Sequence, residues 1–245
     1  MRAPTRIRSP VRRLFVALAL SIGLSTPPTA WPVGPRAAAA AKRHERARAA
    51  LDKKPSRARL TRRFDRALVF AEKVHRKQRR KVGGQPYFAH LLQVAGLVLE
   101  AGGGEREAIA GLLHDAVEDQ GGPKTLKKIH KRFGRRVARI VKEVSDDPNL
   151  GWREVRQAKI DAVAAGKLSD GALLVKLADN LHNVRSMIGE HIRYGEKMWA
   201  TFDAGRDGAA WYFRSMVAAY HRGGVDNRLL PQLERAIEEL FGDEE

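Results

Sequence analysis

The sequence predicts an all-α protein. Three observations carry that prediction. From Phe64 onward, apolar residues recur at helical spacing in one segment after another. Glycine- and proline-containing breaks separate those segments. No stretch alternates apolar and polar residues as a half-buried strand does, and no internal repeat is found.

The elements follow in order. Phe64, Ala67, Leu68, Ala71 and His75 recur at helix spacing, and RKQRRKVGGQPY then breaks the pattern at Gly83, Gly84 and Pro86. A second helix is predicted from about Phe88 to Ala101, stopped by Gly102-Gly103-Gly104. A third is predicted from about Glu105 to Asp119, closed by Gly121-Gly122-Pro123. From Thr125 to Val144, Leu126, Ile129, Phe133, Val137, Ile140, Val141 and Val144 form one stripe opposite a strongly basic face. A helix near Trp152 to Ala165, an apolar helix from Ala172 to Met187, and two or three more within 190–241 complete the body.

The chain has 245 residues, enough for one domain with a tail or two small domains, and 43% of them are hydrophobic. It has no cysteine, which excludes disulfides, zinc–cysteine sites and thiol chemistry. Any metal must be held by His, Asp and Glu. The net charge is +18, but it is unevenly placed. Residues 1–63 hold 16 Lys or Arg against Glu45 and Asp52, a balance of +14, while the remainder holds 30 basic and 26 acidic groups, a balance of +4. The body is thus close to neutral, and the basic excess by itself is no argument that the folded part binds nucleic acid.

The N-terminus has an export-like layout. Five arginines and no acid within residues 1–13 precede an apolar run, LFVALALSIGL, that is too short to span a bilayer comfortably. RRLFV partly resembles a twin-arginine signal. The expected organisation is a signal-like or non-native extension over 1–30, a basic Ala/Arg-rich linker over 31–60, and one folded domain over 61–245.

The chemistry gathers at GLLHDAVEDQ, residues 111–120. On a helix Glu118 lies four residues after His114 and three after Asp115, and Asp119 lies four after Asp115, so the groups share a face. His114 and Asp115 can reach one borderline divalent cation, which accepts mixed nitrogen and oxygen ligands. Two ligands do not make a site. His90, in PYFAHLLQVA, and Asp179, in LVKLADNLHNVRS, are further candidates. Asp179 interrupts an apolar run where a lone carboxylate is costly unless paired or metal-bound.

HRKQRRKVGGQPYFAH, LLHDAVED, RFGRRVARIVKEVSDD and LVKLADNLHNVR, in this order, closely resemble the HD-domain hydrolases of the RelA/SpoT type, nearest the small hydrolase-only alarmone hydrolases. The resemblance is strong over Phe64 to Ile188 and weaker through WATFDAGRDGAAWYF. It implies a compact multi-helix HD-domain phosphohydrolase fold. It further implies that His90, His114, Asp115 and Asp179 hold one manganese ion, Mn2+, and that Glu118 and Asp119 position and deprotonate the attacking water. Arg80 and Lys81 would flank the nucleotide, Arg80 against the base. Asn183 would contact ribose or phosphate, with Lys176 and Tyr212 as additional contacts. The implied reaction removes pyrophosphate from the 3′ position of guanosine tetra- or pentaphosphate, a phosphorylated guanine nucleotide and a cytoplasmic substrate. The export-like N-terminus leaves a periplasmic or secreted location as the alternative. No nucleic acid and no membrane span is required. About 60 residues follow the strongly matching part, too few for the synthetase domain that larger relatives carry, so hydrolysis alone is expected.

Blander readings are set beside these. His75 is expected to be a core or supporting histidine and not a ligand, and His182, with Asn180, to lie at the helix surface. RKQRRK can be a solvated loop, and the face of Lys127, Lys128, Lys131, Arg132, Arg135 and Arg136 is expected to be solvated. Trp199, Phe202, Trp211 and Phe213 are expected in the core. The chain departs from the family pattern at Val82, where many members carry a small polar residue, in one extra residue before Pro86-Tyr87, and at Leu91. Two alternatives therefore stand: the same site acting on another 2′- or 3′-phosphorylated nucleotide, or a basic nucleic-acid-binding protein with a vestigial HD site.

Overall fold

A computed structural model describes residues 59–242. The export-like segment and nearly all of the linker lie outside the described residues. The described residues form helices and no strand, and the one backbone bridge pairs Arg79 with Pro86. Among them, no helix is long and apolar enough to cross a membrane.

Helix α1 spans Arg62–His75. Thr61 caps it, its hydroxyl accepting from the Arg63 N–H at 3.2 Å. The same hydroxyl and the Thr61 N–H both donate to Glu105 Oε1 at 2.7 Å, which ties the start of α1 to the start of α3. Helix α2, Phe88–Glu100, and α3, Glu105–Leu113, form a hairpin across the three-glycine break. Their crossing is close at Gly111, where a Cβ would stand 3.3 Å from the Ala95 Cα. A side chain at Gly111 would push α2 away from α3, and with it His90 from His114.

The predicted third helix is divided. Regular α-helix stops at Leu113 and resumes as a short α4, Ala116–Asp119. The Gly111 carbonyl, which a continuing helix would offer to the Asp115 N–H, is bonded instead by the His114 ring at 2.8 Å. The Asp119 N–H still reaches the Asp115 carbonyl at 3.0 Å, so the i, i+4 placement of the acids survives.

Helix α5, Gly122–Val144, starts with proline in its first turn and carries the predicted apolar stripe. It is interrupted at Gly134, whose φ of 79° and ψ of 169° suit glycine alone. The Phe133 carbonyl freed there accepts from the Arg63 guanidinium. Helix α6 spans Trp152–Ala164. Helix α7 runs over Asp170–Tyr194, beyond the predicted end at Met187, and a 3-10 helix follows over Gly195–Thr201. Helices α8, Gly205–Arg222, and α9, Leu230–Phe241, close the fold.

The core lies around α7, which packs on α2, α3, α5 and α9. Leu91, Leu112, Leu113, Leu177 and Leu181 are fully buried there. At ~1.5–3 kcal/mol per buried large aliphatic side chain, this cluster is a major share of the driving force. It also carries the polar residues of α2, α3 and α7 to one point.

Candidate metal centre and nucleotide cleft

His114 ends α3. Its Nδ1–H donates to the Gly111 carbonyl, which leaves the Nε2 lone pair free. That Nε2 stands 2.9 Å from Asp115 Oδ2, 3.3 Å from His90 Nε2 and 3.5 Å from Asp179 Oδ1. His90 Nε2 is 3.4 Å from the same two carboxylate oxygens. Ligand atoms about 2.1 Å from one ion lie roughly 3.0–3.4 Å apart in octahedral or tetrahedral geometry. The four side chains therefore fit a single small divalent cation. His90, His114 and Asp115 form a compact ligand group with all their donor atoms within 4.8 Å of one another, and Asp179 faces both imidazoles from α7.

Neighbours hold these groups in place. Tyr87 Oη donates to Asp115 Oδ2 at 2.6 Å and Asn183 Nδ2 to Asp179 Oδ1 at 2.6 Å, the same oxygens that face the imidazoles. Lys176 Nζ donates to the outer oxygen, Asp179 Oδ2, at 3.1 Å. His90 Nδ1 meets His182 Nδ1 at 2.7 Å. Burial alone would raise both carboxyl pKa values, but His114 and His90, and Lys176 beside Asp179, hold them well below the usual range. Against the pull of burial, Asp115 and Asp179 raise the His114 pKa, so proton and metal compete for its Nε2.

Glu118 and Asp119 sit one turn on, exposed to solvent and lining the cleft. Glu118 Oε1 accepts from the Asp146 N–H at 2.8 Å, and Asp119 Oδ2 from Gln78 Nε2 at 2.8 Å. Enclosure by the cleft walls, then the charges of Asp146 and Asp115, push Glu118 up to about 7. Burial raises Asp119 as well. Two carboxylates that take no part in the ligand cluster, one of them titrating near neutrality, can accept a proton from water.

Ten of the eleven residues singled out in the sequence line one cleft of about 420 Å³, and His90 lies directly behind it, against His114 and Asp115. Arg80 donates to Asn183 Oδ1 at 3.1 Å, with its guanidinium 5.8 Å from the Tyr87 ring centre. Lys81 is exposed at the mouth, 3.7 Å from Asp203. Lys176 is buried in the wall. The Tyr212 hydroxyl is buried without a hydrogen-bond partner, beside the Arg156 guanidinium, which lies 5.0 Å from its ring centre. Arg80 takes RKQRRK out of the class of purely solvated loops, and the chain turns tightly between the Arg80 N–H and the Gln85 carbonyl at 2.9 Å.

Several supporting residues escaped the sequence reading. Neither His182 nor Asn180 is at the helix surface: His182 is half-buried against His90, with ring centres 4.7 Å apart, and Asn180 is buried, its Nδ2 donating to Tyr220 Oη at 3.2 Å. Burial, then the neighbouring His90 ring and the Arg80 charge, lower the His182 pKa to about 3, so this ring is neutral and able to accept from His90 Nδ1–H. Tyr87 was visible three residues before His90 but carried no signal for its bond to Asp115. His75 does support the site without being a ligand: it stacks on Tyr87 at 5.5 Å and holds Gln78 Oε1 at 2.7 Å. Trp199 and Phe213 are buried as expected, whereas Trp211 and Phe202 are half-buried: Arg153 lies over the Trp211 ring, 3.3 Å from its centre, and Phe202 lines the cleft with Trp152. Asp146, held by Arg156 at 3.1 Å and Lys159 at 3.5 Å, was seen only as part of a motif.

The HD-domain family profile matches residues 67–210. Human guanosine-3′,5′-bis(diphosphate) 3′-pyrophosphohydrolase MESH1 is 40% identical over 124 residues, 49% of this chain and 67% of the human protein. A probable enzyme of the same name from Synechocystis is 36% identical over 126 residues, 50% of this chain but 16% of that longer protein. Among solved structures, a metazoan SpoT ortholog described as hydrolysing ppGpp superposes with a TM-score of 0.65 at 29% identity, covering 76% of this chain and 99% of that one. A Listeria monocytogenes protein superposes with a TM-score of 0.57 at 29% identity, covering 63% and 99%. With the HD profile spanning more than half of the chain, and a 40% identical relative covered over two thirds of its length, the protein belongs to the HD-domain family, among its RelA/SpoT-type hydrolases.

Proposed function

We propose that the protein is a metal-dependent 3′-pyrophosphohydrolase that converts guanosine 3′,5′-bis(diphosphate) and water to GDP and pyrophosphate in the cytoplasm. The carrying observation is the meeting of His90, His114, Asp115 and Asp179 at metal-ligand spacing, one turn from Glu118 and Asp119. The names of the relatives give the substrate class.

In this reading the four residues hold one divalent ion, manganese, for which a two-imidazole, two-carboxylate set is suitable. When bound, the ion supplies Lewis acidity, making water a better nucleophile near neutral pH and offsetting phosphoryl charge. Asp119 orients the water and Glu118 takes its proton. The oxygen adds to the 3′-linked phosphorus, the bond from that phosphorus to O3′ breaks, and O3′ is protonated as it leaves. Arg80 packs against the base between Tyr87 and Asn183, and Lys81 neutralises phosphate at the mouth. Lys176, Asn183 and the unpaired Tyr212 hydroxyl face the phosphate arm or ribose.

One observation favours a second reading. Val82 is buried in the cleft wall where many relatives carry a small polar residue, so base discrimination is altered. The same machinery acting on another 2′- or 3′-phosphorylated nucleotide is the alternative. A panel of such nucleotides, assayed with the manganese-loaded protein, separates the two: preferential turnover of the tetraphosphate supports the first, and of a simple 3′- or 2′-ester the second.

A further inference from the structure

Helix α5 carries nine cations between Gly122 and Val144, and Glu143 is its one acid. All nine are exposed. Among the described residues only Arg139 has a carboxylate partner, Glu143 at 3.0 Å. In the first segment of the helix, Lys124, Lys127, Lys128 and Lys131 lie at i, i+3, i+4 and i+7, on the side opposite Ile129 and Phe133. After the break at Gly134, Arg135, Arg139 and Lys142 repeat the arrangement opposite Val137, Ile140 and Val144. Arg66 and Lys73 on α1 share a groove with Arg132, whose guanidinium lies 4.9 Å from the Phe70 ring centre, and this extends the basic surface. Asp65 is the one carboxylate in that groove.

No residue of this face lines the nucleotide cleft, so the hydrolytic site does not account for it. So many like charges on one helix repel one another, and among the described residues only Glu143 pairs with any of them. We infer that the α5 face binds the phosphate backbone of a double-stranded nucleic acid without reading its sequence. Two features select this partner. A membrane-surface helix needs a face of exposed apolar residues beside its cations; none of the exposed large apolar side chains belongs to α5, and Val69 on α1 is the single one in the adjoining groove. Single-strand binders need exposed aromatic rings for base stacking, and the two rings near this face, Phe70 and Phe133, are buried. What remains is a row of flexible point charges, the chemistry of duplex backbone contacts.

The test uses the full chain and a short duplex of random sequence, as DNA and as RNA, with binding followed by fluorescence anisotropy from 50 to 200 mM salt. The wild type is expected to bind both, with affinity falling at least 100-fold across that range, as several phosphate contacts require. The variant Lys127→Glu/Lys131→Glu/Arg135→Glu leaves the apolar stripe and the cleft intact. It is expected to lose affinity at least tenfold and to reduce the slope of log affinity against log salt by about 3. The glutamine version of the same triple variant, which adds no new charge, is expected to show the same reduction in slope. Circular dichroism and nucleotide hydrolysis should be unchanged in both. Unaltered affinity and slope in folded variants would overturn the inference and assign binding to the basic N-terminal sequence. Binding of anionic vesicles in preference to duplex, lost in the same variants, would overturn it in favour of a membrane surface.

Discussion

Glu118 Oε1 accepts the backbone N–H of Asp146 at 2.8 Å, across 28 residues of chain. The bond fixes a carboxylate one turn from the ligand cluster, and the Asp146 side chain places a second negative charge beside it. The neighbour that positions the proposed base therefore also adds to the upward shift that its desolvation in the cleft begins.

The first prediction concerns pH. Glu118 acts as a base only when ionised, and its surroundings hold it at about 7. Activity limited by this group should fall about tenfold per pH unit below 7 and level off above it. Asp146→Asn removes the nearby charge and should move that limb to lower pH, while Glu118→Gln should cost about 100- to 10,000-fold in kcat and abolish the limb. A kcat/KM profile from pH 5 to 9 for the three proteins checks this.

Metal removal is the second. Chelation should abolish hydrolysis and lower Tm, because an ion bound only by the native protein at 100 times its Kd adds about 2.7 kcal/mol. Manganese should restore both. His114→Ala should neither bind manganese stoichiometrically nor gain stability from it, as read by calorimetry and thermal melts.

His182 touches no ligand atom that faces the ion, yet it holds the far nitrogen of His90 at 2.7 Å. Removing such a partner weakens metal binding by about 10- to 100-fold. His182→Ala should therefore raise the manganese Kd by that factor, with kcat largely recovered at saturating metal. An unchanged Kd would show that the contact does not orient His90.

The fourth prediction concerns packing. Gly111→Ala sets a methyl group 3.3 Å from the Ala95 Cα, and backbone cannot move aside as a side chain can. The expected cost is about 1–3 kcal/mol. Because the displaced helix carries His90, manganese affinity should fall along with Tm. Gly96→Ala, mid-helix in α2 where a Cβ meets nothing within 4 Å, serves as the matched control: it should raise stability by about 0.4–1 kcal/mol and leave manganese affinity unchanged.

Much of the site was legible because local spacing controls it. The i+3 and i+4 relations among His114, Asp115, Glu118 and Asp119 survive even though the helix is broken between them, since the Asp119 N–H still bonds the Asp115 carbonyl. Asp179 stood out as a charge in an apolar run, and burial among paired partners is what the structure shows. The break itself was not legible: it depends on the His114 ring taking the Gly111 carbonyl, a side-chain choice that leaves no periodicity. His182 was misplaced because its position on α7 says nothing of the α2 ring that packs on it. Tyr87, Gln78 and Asp146 act through contacts between distant segments, which only the assembled fold supplies. The interruption of α5 at Gly134 was hidden by an apolar stripe that continues on both sides of it.

The most direct test of the central claim is the fate of guanosine 3′,5′-bis(diphosphate) incubated with the manganese-loaded full chain, with products resolved by ion-exchange chromatography and phosphorus NMR. The account predicts equimolar GDP and pyrophosphate, lost in Asp115→Asn. Intact substrate in the presence of stoichiometric metal, or release of phosphate from the 5′ position, would contradict it.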